Sequence, residues 1–157
     1  MSNRWVVVAG CLLLMACSRQ VEAPALGETD GVVSFAPASG EAVRLDVWIA
    51  DSEEERSRGL MSIEELAPHE GMAFVFAEPT DGTFWMKDTV IPLSIAFVDE
   101  AGTIVTIRDM EPCEDDPCPT YGADEPYVLA VEANAGYYAR MAIAEGDEAR
   151  LARITDG

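Results

Sequence analysis

Apolar and polar residues alternate with a period of two along much of this chain. Val43, Leu45, Val47 and Ile49 are interleaved with Arg44, Asp46 and Trp48, the pattern of a strand with one buried face. Residues 32–35, 71–76, 83–87, 93–98, 103–108, 127–132 and 149–154 are further strand candidates. The period changes at Ser52, which is placed to cap a helix with Glu55 three positions on; Glu53 and Glu54 suit its first turn, and Arg56 and Arg58 its last. Gly59 is a natural stop, so a short helix is expected over 52–58. Two more helical stretches are expected, around 63–66 and within 136–144. Turns fall at 78–82 and 99–102, the second closing a hairpin, and residues 109–125 form a long loop. Seven or eight strands with little helix predict a mainly β domain on the α+β border: one barrel-like or strongly curved antiparallel sheet with two or three short helices.

The N-terminus follows a different rule. After Arg4 comes the apolar run 5–15, shorter than the roughly 20 residues needed to span a bilayer as a helix. It ends in Leu14-Met15-Ala16-Cys17, which resembles the lipobox of bacterial lipoproteins. That resemblance implies cleavage before Cys17 and acylation of it, and several acyl chains together hold a protein on a membrane. The alternative is a plain secretory signal followed by a chance cysteine. The expected organisation is a signal peptide over 1–16, a lipidated Cys17 and flexible tether over 17–30, and a domain over 31–157. Ser18, where Asp would favour inner-membrane retention, points to the outer membrane facing the periplasm in a Gram-negative cell. In other cells it points to the outer face of the cell membrane.

Charge narrows the partners. The 29 acidic residues against 10 basic ones give a net charge of −19, which argues against nucleic acid and against docking a protein face on anionic headgroups. Once Cys11 leaves with the signal and Cys17 carries lipid, Cys113 and Cys118 remain, and a pair in an exported protein reads as a disulfide. No cofactor is predicted.

Several blocks then occur in order: Gly59-Leu60-Met61, the run Gly71 to Phe76, Phe84-Trp85-Met86-Lys87-Asp88-Thr89-Val90-Ile91-Pro92-Leu93, Ile95 to Asp99 with Gly102, Val128 to Gly136, and Ile143 with Gly146-Asp147. In order and spacing they resemble the DUF192 (UPF0127) family, from about Val43 to Ile154. The resemblance implies a compact, mostly β, often exported domain, and no settled biochemistry. Two positions depart from the family pattern: Asp88 stands where Asn is common, and Ser94 where Asp is common.

Alternation puts Trp85 and Lys87 on one strand face and Met86 on the other. Lys87, the only lysine, is followed by Asp88 and Thr89. An aromatic wall, an ammonium and a few polar groups suit a small anionic or sugar-like ligand; alternatively Lys87 pairs with Asp88 or Glu132 and pins the turn before Pro92. By the resemblance, Arg58 and Glu132 are the expected polar neighbours. The leading expectation is therefore a non-enzymatic envelope domain binding a small ligand or an envelope protein. Met61, Met72, Met86 and His69 suggest a second reading, Cu(I) held by thioethers and imidazole, although methionine is also ordinary core filler. A carbohydrate hydrolase using two carboxylates is a third. The loop acids Glu114, Asp115, Asp116 and Asp124 raise Ca²⁺ without EF-hand spacing. With one histidine and no nucleophile motif near it, other catalytic arrangements have little to build on.

Overall fold

The computed structural model describes residues 26–38, 40–114 and 116–155. The expected signal peptide, Cys17 and the first part of the expected tether lie outside the described residues, as does Asp115. Among the described residues no helix is long and apolar enough to cross a membrane.

The chain runs β1 (Gly31–Ala36), β2 (Val43–Ala50), α1 (Glu53–Arg58), β3 (Glu70–Thr80), β4 (Phe84–Trp85), β5 (Leu93–Val98), β6 (Ile104–Met110), β7 (Thr120–Tyr121), β8 (Tyr127–Asn134), α2 (Tyr137–Arg140) and β9 (Glu148–Arg153). Seven strands form one curved sheet in the order β6-β5-β8-β3-β2-β1-β9, and β4 pairs with β7 in a separate ribbon. All pairs in the large sheet are antiparallel except β2 with β3, whose crossover carries α1. The two edge strands meet at one end. Thr103 bridges Glu148, and the Ile104 and Ala149 amides donate to the carbonyls of Asp147 and Gly102 at 2.9 and 2.8 Å. The expected curved, barrel-like β domain is thus present, stitched at one end of its seam.

The sheet is apolar on both sides, and each side has its own core. Inside the curl, Val33, Phe35, Leu45, Val47, Ala73, Val131 and Ala133 pack against Tyr137 and Tyr138 of α2. On the outer side Met72, Phe74, Ile95, Phe97 and Ala130 are covered by Leu60, Ile63, Leu66, Met86 and Met110 from the connecting segments. This explains why β5 is buried at every position, as expected for a strand covered on both faces.

Local chemistry follows the sequence at α1. Ser52 accepts from the Glu55 amide at 3.2 Å and Glu55 accepts from the Ser52 amide at 3.0 Å, a complete capping box. These bonds hold the Glu55 carboxyl below its ordinary pKa. Four expectations need correction. Residues 63–66 are not helical: the Leu66 and Ala67 carbonyls accept from the Asn134 side chain at 3.0 Å, and Ile63 and Leu66 simply anchor an irregular segment. The turn expected at 78–82 begins later, because β3 continues to Thr80 through a register shift after Val75 that accommodates Pro79. The strand expected over 83–87 stops at Trp85, since Asp88 takes a left-handed φ of 56° and the chain turns. The long loop 109–125 is shortened by the end of β6 and interrupted by β7. At the N-terminal side, residues 26–30 are tied to β2: the Trp48 indole donates to Gly27 at 2.7 Å and the Ile49 amide to Asp30 at 2.8 Å.

Candidate functional site

A groove opens on the outer side of the sheet, between α1, the Gly59–Met61 turn, β4 and the floor strand β8. Gly59 makes the approach possible. Its φ is 49°, and a Cβ there would sit 3.3 Å from the Phe74 ring, so a side chain would be both strained and crowded. The turn sends Leu60 into the outer core and leaves Met61 half-buried on the groove wall.

Glu132 forms the floor. It lies on the outer face of β8 with Met72 and Ile95 as its cross-strand neighbours, and it is 5% exposed. None of the hydrogen bonds or ion pairs among the described residues uses its carboxyl. Burial without a countercharge pushes its pKa from 4.5 up to about 8, which favours the protonated, neutral form near neutral pH. The space beside it is about 30 Å³, shared with Arg58, Trp85 and Thr89, room for about one water. An adjoining hollow of about 250 Å³ shares Arg56, Ser57, Phe84 and Trp85 with it and is otherwise walled by Phe76, Tyr127 and the exposed Glu53.

Arg56 is held in place: its guanidinium donates to the carbonyls of Asp51 and Val75 at 2.5 and 3.1 Å and stacks 5.1 Å from the Phe76 ring. Arg58 is exposed, and among the described residues its guanidinium makes no hydrogen bond or ion pair. Phe84 packs edge-on to Phe74 and Phe97 at 4.9 and 5.7 Å, while Trp85 is half-exposed on the rim. The Tyr127 hydroxyl donates to Gly82 at 3.0 Å, and burial beside Asp81 pushes its pKa up to about 12, so it stays a donor.

The structure therefore divides the expected site. Arg58, Trp85, Thr89 and Glu132 line one cavity. Lys87 and Asp88 line another hollow, against Cys113, Glu114 and Cys118. Lys87 lies 5.4 Å from the Trp85 ring centroid and is exposed; among the described residues it forms no ion pair with Asp88 or Glu132. Asp88 takes a left-handed φ of 56°, which Asn and Asp both tolerate, and its carbonyl accepts from the Ser62 amide at 2.8 Å. The departure at Ser94 has a local reason. Its hydroxyl accepts from the Gly136 amide at 2.7 Å and bonds to Asp109, so the neighbouring strand supplies the carboxylate. Arg56 and Phe84 belong to the groove without having been singled out from the sequence; adjacency to Arg58 and Trp85 was the signal.

Met72 and Met86 are buried in the outer core, Met61 lines the groove and His69 is exposed at the head of β3. Among the described residues no cluster of three or more His, Cys, Asp or Glu could hold a metal. Asp124 pairs with Arg108 at 2.9 Å, and Glu114 and Asp116 are exposed. Cys113 and Cys118 lie at disulfide distance, their Cα atoms 5.6 Å apart.

A curved β-sheet domain with a lateral groove over one buried acid is the class that fold and site define. The DUF192 family model ("Uncharacterized ACR") matches residues 35–151, and the chain belongs to that family. No curated protein matches it. A solved structure from Sinorhizobium meliloti 1021, named a "putative transcription regulator", is 31% identical, with a TM-score of 0.73 over 80% of this chain and 96% of that one. A protein of unknown function from Novosphingobium aromaticivorans DSM 12444 is 32% identical, with a TM-score of 0.70 over 76% and 83%.

Proposed function

We propose that this is a non-enzymatic, lipid-anchored domain of the cell envelope that binds a small ligand in the groove above Glu132. One observation carries the reading: Glu132, 5% exposed as a residue, turns carboxyl oxygens with no hydrogen-bond partner among the described residues into a cavity that they share with Arg58 and Trp85. A carboxyl held in an apolar setting at the floor of a cleft, its pKa raised by desolvation, is a candidate binding group. The aromatic wall and the arginines add orientation and charge. The hydrolase reading is less favoured, because the other acid on the groove, Glu53, sits exposed at its far end. The copper reading is less favoured because Met72 and Met86 are engaged in packing.

The lipobox-like run ending in Cys17 supports anchoring, on the outer membrane facing the periplasm or on the outer face of a single cell membrane. The name of the Sinorhizobium structure does not transfer to this chain in our reading: a net charge of −19 disfavours nucleic acid.

Thermal melting of the full chain against organic anions, sugars, muropeptides, Cu(I), Ca²⁺ and Zn²⁺ tests the groove. A ligand at 100 times its dissociation constant adds about 2.7 kcal/mol, and the resulting shift is expected to vanish in Trp85→Ala. A shift retained in that variant overturns the groove assignment. For the anchor, Cys17→Ala is expected to leave the protein out of the membrane fraction; retention there overturns it.

A further inference from the structure

We infer that the groove takes a single-ring organic monocarboxylate, with its carboxylate against Glu132 and Arg58 and its ring against Phe84 and Trp85. The inference rests on the reading of the groove as a ligand site and names the ligand class.

Space sets the first limit. The part beside Glu132, about 30 Å³, admits about one water-sized group, such as a single carboxylate oxygen. The adjoining hollow of about 250 Å³ is smaller than the roughly 300–1,000 Å³ of sites for drug-sized molecules, and it suits one ring. Phe84 and Trp85 border both spaces, so a ring there keeps its substituent directed at the floor.

Charge sets the second limit. The groups facing Glu132 can be taken element by element. On α1 Arg56 and Arg58 line the same cavity, neither close enough to offset the desolvation of the carboxyl. On α2 the Tyr138 phenol lies across the sheet, on its inner side, buried and donating to the Val131 carbonyl at 2.5 Å. After β4 comes the Thr89 hydroxyl, bonded to the Lys87 carbonyl at 3.4 Å. The cross-strand neighbours Met72 and Ile95 bring no charge. A cationic head would therefore enter a cavity lined by Arg56 and Arg58 with only a neutral acid to meet it. A carboxylate would accept the Glu132 O–H in a charge-assisted hydrogen bond, the stronger kind, and would give Arg58 the partner it lacks. Arg56, already committed to two carbonyls, supplies fixed positive potential.

Calorimetric titration of the full chain with benzoate, benzylamine and benzamide, at pH 6 and upward, tests this. Benzoate is expected to bind and benzylamine not to. Arg58→Ala is expected to weaken benzoate by about 10- to 100-fold, the range for a hydrogen bond to a charged group. Above about pH 8 affinity should fall about tenfold per pH unit, because binding then requires a proton that Glu132 has lost. Glu132→Gln keeps an N–H donor and is expected to bind with that pH dependence removed. Binding of benzylamine in place of benzoate overturns the ligand class and leaves the groove reading standing. Binding of none of the three overturns both. Benzoate binding unchanged in Arg58→Ala, or an unchanged pH profile in Glu132→Gln, overturns the proposed pose.

Discussion

Glu132 and Asp147 are both withdrawn from solvent, and their surroundings treat them in opposite ways. Asp147, 8% exposed, accepts from the Ala38 amide at 2.9 Å through one oxygen and from the Ala144 amide at 2.8 Å through the other. Its backbone carbonyl takes the Ile104 amide across the seam. It ties the connection after β1, the exit of α2 and the edge of β6 at one point. Glu132 stands in the middle of the sheet between Met72 and Ile95, and no partner among the described residues answers its carboxyl. Burial alone does not mark a functional acid; the count of hydrogen bonds does.

The largest expected effect separates the two acids by pH. Glu132 has its pKa raised from 4.5 to about 8 in the folded state. Between those values the native state holds a proton that the unfolded state has released, so stability falls as pH rises. The contribution is full below pH 4.5 and gone once pH passes 8, a loss of about 3–5 kcal/mol at about 1.4 kcal/mol per unit. Urea unfolding across this window should show the wild type losing stability and Glu132→Gln following a flatter curve. Parallel curves would mean that Glu132 is answered in solution and that the contrast with Asp147 is unreal.

Next in size is Asp147→Ala, which strips two amides of their acceptor. Hydrogen bonds to a charged group contribute about 1.5–3 kcal/mol each, so a loss of about 3 kcal/mol and a fall in Tm of roughly 10 °C are expected. Ligand binding in the groove should be unaltered. A variant that melts like the wild type would remove Asp147 as the structural member of the pair.

How far the contrast could be read in advance differs for fold and site. Alternation exposed β2, and the capping box exposed α1, because both signals are local. The curved sheet followed from the number of short strands. The strand order and the parallel β2–β3 pair depend on partners distant in sequence. Residues 63–66 misled because Ile63 and Leu66 have the i, i+3 spacing of a helical turn, while the Leu66 and Ala67 carbonyls accept from the distant Asn134 side chain. At the site, Arg58, Trp85, Thr89 and Glu132 are indeed brought together. Lys87 was placed with them by strand alternation, which ends at the left-handed Asp88. That Glu132 is unanswered and Asp147 doubly bonded was not visible at all, since either acid could have belonged to the solvated majority.

The cysteine pair lies outside the contrast and serves as a control on it. Closing the short loop from Cys113 to Cys118 is worth about 2 kcal/mol by chain-entropy reasoning. Replacing both with serine should lower Tm by several degrees in a melting experiment and leave ligand binding at Glu132 untouched. A change in that binding would show that the disulfide loop and the groove are coupled through Trp85.

The smallest effect tests the boundary of the site. Lys87 is the only lysine and sits in the family's most specific block, which makes it the natural suspect for a ligand contact. Its ammonium instead lies 5.4 Å from the Trp85 ring, on the side of the disulfide loop, and is open to solvent. An exposed cation–π contact is worth about 0.5–1 kcal/mol. Lys87→Met retains the length of the stem and loses the charge, so its unfolding free energy should drop by less than about 1 kcal/mol. Groove affinity should stay within about twofold of wild type, because the ammonium borders a different hollow from Glu132. Loss of binding without loss of stability would move the ligand from the floor at Glu132 to the rim at Trp85 and Lys87, and the unanswered acid would then need another explanation.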